Sequence, residues 1–188
     1  MTSAPASRGY SARTLITIAA VIAMAAVVPL AGCASKASSA PPAAGDKVPS
    51  PVRPALWDLT TPEKAVKSYL DWTTIAYRMA NSDLASRTAD PNEQVHVDSY
   101  VELNKENGNK GIDQHLQDFQ IVSSSREGTA VIIVTKETWA YRYFSLADQT
   151  YITPRYTARY DATYTVGAGP AGGWVVAAVQ ATALDPVH

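Results

Sequence analysis

Glu137 is the residue whose position in the pattern best suits it to move a proton. The run from Thr129 to Phe144 is rich in Val, Ile, Thr, Trp and Tyr, as strands are. Alternate side chains on a strand share a face, which groups Glu137 with Val131, Ile133, Trp139, Tyr141 and Tyr143. A carboxylate held among aromatic rings pays a desolvation penalty in its charged form, so its pKa is expected to rise and it could serve as a general base. Tyr141 would then be the donor to a developing oxyanion. The competing placement sets Glu137 at the sheet rim or against Arg155 or Arg159, the commoner fate of a strand glutamate, and the residue weighs that way.

Aromatic side chains are the second candidate feature. Of 15 aromatics after residue 55, eight lie between Trp139 and Tyr164, and tyrosine outnumbers phenylalanine there by nine to two over the whole of that region. Core packing accounts for most of them. Tyrosine also offers apolar area with a polar tip, which suits a binding surface, and Trp139, Tyr141, Tyr156 and Tyr160 are the expected ligand-binding residues.

Other chemistries find less support. Gly167-Ala168-Gly169-Pro170-Ala171-Gly172 satisfies G-x-G-x-x-G, but a Val-rich strand follows where a helix is needed, and Pro170 has no amide proton for a phosphate. It reads as a hairpin turn. One cysteine and three scattered histidines make no metal site and no disulfide framework, and His96 and His115 read as ordinary rim residues. Arg142, Arg155 and Arg159 suggest a basic stripe that Glu137 and Asp161 interrupt. No cofactor and no metal are expected.

These residues sit in a chain with an address at its start. Residues 1–14 carry Arg8 and Arg13 and no acid, and Leu15 to Leu30 is a 16-residue run without a charge. That is the layout of a secretory signal. A membrane span takes roughly 20 apolar residues, so the run is short for one, and Pro29 disfavours a long helix. Leu30-Ala31-Gly32-Cys33 resembles the lipobox of bacterial lipoproteins at all four positions. The resemblance implies cleavage before Cys33, a diacylglyceryl group on its thiol, and a cell-membrane location on the extracytoplasmic face. Two acyl chains meet the condition for stable anchoring.

The formal charge is -1, from 16 basic and 17 acidic residues. Loss of residues 1–32 removes two arginines and leaves 14 basic residues against 17 acidic ones, with none of the basic surplus that a nucleic-acid partner requires. Residues 33–55 read as an Ala/Ser/Pro tether: between Ala34 and Pro54, 15 of 21 residues are Ala, Ser, Pro or Gly. As a flexible coil it would reach about 25 Å. Residues 56–188 are the expected folded unit.

Within that unit Thr61-Pro62-Glu63 starts a helix with a cap, a proline at its first position and an acid at the positive end of the dipole. Apolar residues recurring at three and four carry it to about residue 80. Residues 83–88 suggest a further short turn. Asp90-Pro91-Asn92-Glu93 repeats the start signal as a capping box for a second helix over 91–107. Strands are expected at 115–123, 129–144, 155–166 and 174–183. The third has the cleanest alternation, with Tyr156, Ala158, Tyr160, Ala162, Tyr164 and Val166 on one face. Matching apolar faces sets Trp139 near Tyr156, Thr135 near Tyr160 and Lys136 near Arg159. Helices first and a meander of strands after them make an α+β domain, with N-terminal helices packed on a curved four-stranded antiparallel sheet.

This order, with the segments Thr61 to Val66, Glu137 to Arg142 and Gly172 to Val176, resembles the cone-shaped nuclear-transport-factor-two-like fold. It is most similar to short secreted lipoproteins of Gram-positive bacteria. The superfamily includes ketosteroid isomerase, and the resemblance implies a ligand pocket on the concave face of the sheet, with Glu137 and Tyr141 in the isomerase roles. That pattern also has a protonated carboxyl beside the tyrosine, which this sequence does not place. The favoured reading is therefore a lipid-anchored, non-catalytic binding module of the cell envelope, whose partner is a protein, a glycan or a small apolar ligand. The alternative is a proton-transfer enzyme. Homodimerisation is a further reading, because the last strand is apolar on both faces.

Overall fold

Thr61 caps the first helix as its position requires. In the computed structural model, which describes residues 46–185, the Thr61 side chain accepts the Lys64 amide at 3.3 Å. Pro62 opens helix α1, Pro62–Met79, with Glu63 in its first turn. A turn of 3-10 helix, Ser82–Ala85, leads to Asp90, whose carboxylate accepts the amides of Asn92 at 2.8 Å and Glu93 at 3.0 Å and starts α2, Pro91–Glu106. The expected signal segment 1–32, Cys33 with its lipobox, and the tether as far as residue 45 lie outside the described residues. No helix among the described residues is long and apolar enough to cross a membrane.

The strands are β1 Lys110–Glu127, β2 Ala130–Ser145, β3 Thr150–Tyr151, β4 Tyr156–Ala168 and β5 Trp174–Ala183. They form one antiparallel sheet in the order β1-β2-β4-β5, with β3 also on β2, so the sheet has five strands where four were expected. The extra strand corrects the register. β3 continues the β2 hairpin, pairing Phe144 with Tyr151, Ile152 still donates its amide to the Tyr143 carbonyl at 3.0 Å, and residues 153–155 then bulge out before Tyr156 pairs with Tyr141. Pro154 in that bulge has no amide proton for the ladder. Trp139 consequently faces Ala158 rather than Tyr156, Thr135 faces Ala162, and Lys136 faces Asp161. The slip is two residues, an even number, so the faces are those expected.

β1 also begins five residues before its expected start. Gly111, Ile112 and Asp113 are buried there, and Gly111 lies against the Phe144 ring so closely that a Cβ would come within 2.9 Å of three ring carbons. Only glycine fits at that crossing.

The helices cover one face of the sheet. Val66, Tyr69, Leu70 and Ala76 of α1 and Val97 of α2 pack on Ile133, Trp139, Ala162, Tyr164, Val166 and Val176. A smaller cluster joins Ile112, Tyr141 and Ala158. One edge of β5 is partly occupied: Ala89 bridges Val176, and Trp174 donates its amide to the Leu59 carbonyl at 2.9 Å.

Residues 46–54, expected as part of the solvated tether, lie on the fold as a strap. Lys47 bridges Thr150, the Val48 amide donates to the Gln149 carbonyl at 2.9 Å, and the Tyr151 amide donates to Asp46 at 3.2 Å. Arg78, buried on α1, donates to the Pro49 carbonyl and to Asp113, and Asp113 also accepts the Tyr151 hydroxyl.

Candidate functional site

The β2 alternation carries Glu137 into the space between sheet and helices, where it is 5% exposed. Three donors meet it. Thr135 Oγ1 at 2.7 Å and the Tyr164 hydroxyl at 2.6 Å donate to Oε1, and Trp139 Nε1 donates to Oε2 at 2.8 Å. Glu137 is therefore neither on the rim nor paired with an arginine. Arg159 lies on the opposite face of the sheet and pairs with Asp185 at 2.6 Å.

Tyr141 lies on the same face four positions along the strand, roughly 13 Å away at the usual rise per residue. It belongs to the smaller cluster, with its ring 5.5 Å from Tyr156 and 6.0 Å from Tyr143. Burial, reinforced by the neighbouring tyrosines, pushes its hydroxyl up to about 12. Such a group stays protonated and is a weak acid. The structure thus brings Tyr141, Tyr156 and Tyr160 together in one tyrosine cluster and joins Trp139 to Glu137, but it does not bring Glu137 and Tyr141 together. The tyrosine at Glu137 is Tyr164.

A second carboxylate is buried in the cone. The capping-box spacing sends the Glu93 side chain back to the Asp90 amide, yet that amide donates to Val176 at 2.8 Å. Glu93 instead turns inward and accepts the Tyr69 hydroxyl at 2.5 Å, with His96 Nδ1 at 3.4 Å. Desolvation raises its pKa against these hydrogen bonds. The Tyr69 and Tyr164 rings meet edge to face at 6.3 Å, so the two carboxylates cap the ends of a buried tyrosine pair. Both hydroxyls are held well above their ordinary pKa, first by burial and then by the nearby acids and tyrosines.

Open space lies to one side of this filled interior. A groove of about 270 Å³ runs between residues 52–54 of the strap, the α1 residues Asp71, Thr74 and Ile75, and residues 114–116 of β1, with Trp139 completing its lining. Among the described residues no group of His, Cys, Asp or Glu has metal-binding geometry. His115 reaches Asp113 at 3.3 Å, and burial with the Arg155 and Arg78 charges lowers its pKa.

The model of the TcaA protein NTF2-like domain matches residues 60–168, from the cap of α1 to the end of β4, more than half of the chain. The chain belongs to the TcaA protein NTF2-like domain family. No curated protein matches it. Among solved structures, the intermembrane space region of the chloroplast protein ARC6 aligns with a TM-score of 0.52 at 14% identity, covering 69% of this chain and 99% of that one. A periplasmic fragment of TraM aligns at 0.43 with 11% identity, covering 68% and 99%. An NTF2-like family protein of Streptomyces avermitilis aligns at 0.42 with 14% identity, covering 66% and 99%. Of these three, the likeness to the ARC6 region, at a TM-score of 0.52 and 14% identity, bears on the fold alone.

Several of these residues were not legible as site residues. Glu93 was visible only as a helix cap. Asp71, Arg53 and Gln114 gave no signal, since an acid on a helix or a glutamine on a strand is ordinary surface chemistry until the fold assembles the groove.

Proposed function

We propose that the chain is a lipid-anchored, extracytoplasmic protein whose NTF2-like domain is a non-catalytic binding module of the cell envelope. The observation that carries the non-catalytic part is the occupancy of Glu137. Both of its oxygens already accept hydrogen bonds from Thr135, Trp139 and Tyr164, inside a packed core. A general base needs a lone pair within reach of the substrate proton, and this carboxylate is held inside the core by two donors of its own strand and by Tyr164 of β4. The anchored part rests on Leu30-Ala31-Gly32-Cys33 and the basic flank before it. Membership of the TcaA domain family and the likeness to a region named for an intermembrane space agree with an extracytoplasmic setting.

Metabolic labelling with an alkyne fatty acid in a Gram-positive host tests the anchor. The wild type is expected to label and to enter the detergent phase, and Cys33→Ala to do neither. A Cys33→Ala variant that still labels overturns the anchor, and a domain protected from protease on intact cells overturns its location. Deuterium exchange α to a ketone, catalysed by the wild type and abolished in Glu137→Gln, would overturn the non-catalytic assignment.

A further inference from the structure

The groove beside the cone holds polar groups of both signs that the protein leaves open. Asp71 lies on it with no hydrogen bond or ion pair among the described residues, and Lys67, one turn away on α1, contributes only through-space charge. Arg53, on the strap, likewise has no partner among the described residues. Gln114 donates through Nε2 to Thr74 Oγ1 at 3.2 Å, which leaves its carbonyl oxygen free. Apolar surface comes mainly from half-buried Leu116, while Ile75 and Trp139 are buried and show only an edge at the groove, the latter fixed in orientation by its bond to Glu137. We propose that this groove binds a neutral, polyhydroxylated ring, the hexopyranose unit of a glycan. This deepens the reading of the chain as an envelope binding module and rests on it.

The choice of ligand follows from what each class would leave unpaired. A purely apolar occupant would strip water from Asp71 and Arg53 and return no hydrogen bond to either charge. An anion on Arg53 would face Asp71, and a cation on Asp71 would face Arg53 and Lys67. Sugar hydroxyls donate to Asp71 and to the Gln114 carbonyl and accept from Arg53, while the C–H face of the ring covers Leu116 and the exposed edge of Trp139. Asp71 is solvent-exposed as a residue, yet the protein around its carboxylate desolvates it enough to raise its pKa, so the group gains from each donor supplied. A volume of about 270 Å³ lies at the small end of ligand sites and suits a single ring with its linkages leading out to solvent. One wall is the strap, so the site is complete only when residues 46–54 are docked.

The test titrates chitotriose, a neutral N-acetylhexosamine trimer, into the lipidated full chain in nanodiscs, followed by calorimetry and saturation-transfer NMR. The wild type is expected to bind, and Asp71→Ala to bind at least about tenfold more weakly, the loss of one charge-assisted hydrogen bond. Asp71 is exposed on a helix and alanine has the highest helix propensity, so this variant is expected to fold. Arg53→Ala, on the strap rather than in the core, is expected to weaken binding independently. No binding at 20 mM trimer overturns the proposal, as does binding undiminished in the double variant. Binding of alanylalanine without the trimer would assign the two opposite charges to a zwitterion and also overturns it. Fatty-acid labelling of the same protein responds to the anchored reading alone, so the two failures are distinguishable.

Discussion

Tyr164 donates its hydroxyl to Glu137 at 2.6 Å in a part of the cone where both side chains are almost fully buried. The two residues reach each other from neighbouring strands four register positions apart, Glu137 opposite Tyr160 and Tyr164 opposite Ile133. A carboxylate in this position is tolerable only because its lone pairs are answered, and Tyr164 answers one of them.

Removing that donor should therefore cost more than an average hydrogen bond. Tyr164→Phe leaves the ring packing intact and deprives a buried acid of one partner, for an expected loss of about 1.5–3 kcal/mol. Urea unfolding would record it as a lower midpoint at unchanged slope. A loss below about 0.5 kcal/mol would mean that the bond is not held in solution.

Gly111 tests the crossing of β1 over Phe144. Gly111→Ala drives a methyl into a ring that is 1% exposed and has nowhere to retreat, so destabilisation of about 1–3 kcal/mol is expected. The diagnostic is the double variant with Phe144→Leu. If the clash is the cause, the second substitution recovers part of the loss, a coupling that independent sites would not show.

What could be read in advance follows the range of the interactions concerned. Caps and helical periods are local, and Thr61, Asp90 and the α1 stripe announced their helices within a residue or two of the observed ends. Side-chain parity is local too, which is why Glu137 was placed on the face of Trp139 and Tyr141. Pairing is not. The two-residue slip arose because Thr150 and Tyr151 form a strand too short to show in composition, followed by a bulge at Pro154. The donors on Glu137 include a tyrosine 27 positions away, and Asp113, before the expected start of its strand, is answered by Arg78, 35 positions earlier. The contacts of residues 46–49 are long-range as well. A Pro-rich segment resists regular structure, but Asp46 and Val48 need only backbone groups to join Gln149 and Tyr151. The glutamate and Tyr141 fall in different clusters for a reason parity does not show: Glu137 is bonded to Tyr164, while the Tyr141 ring packs with Tyr143 and Tyr156.

Glu93 makes the stability of the fold depend on pH in a defined sense. Desolvation raises its folded-state pKa above the unfolded value. Below the unfolded pKa both states are protonated and there is no penalty. As pH rises through the interval between the two values the unfolded state ionises first, and stability is lost until the folded pKa is passed. Glu93→Gln keeps an acceptor for Tyr69 and removes the charge. Relative to the wild type it is therefore expected to gain stability between pH 4.5 and pH 7.5, as measured by urea midpoints at the two values. A gap between the two proteins that is the same at both would show that the carboxylate is not desolvated.

The strap offers a kinetic test of whether the last stretch before the domain is part of it. Lys47 is a trypsin site held in a bridge to Thr150, whereas Arg53 precedes Pro54 and is a poor one. Arg78 fastens the segment from inside through the Pro49 carbonyl while its charge is met by Asp113. Lysine at that position keeps the charge but has no planar fork to reach both partners at once. Arg78→Lys is therefore expected to leave the helices and sheet folded, by circular dichroism, and to speed cleavage after Lys47 about tenfold, because proteolysis of a locally opened segment follows the population of the open form. In the wild type the Val48 and Tyr151 amides should exchange slowly and at similar rates, since each bonds across the same junction. Fast exchange at Val48 beside slow exchange at Tyr151 would place the strap off the sheet, and the groove would then lose one of its walls.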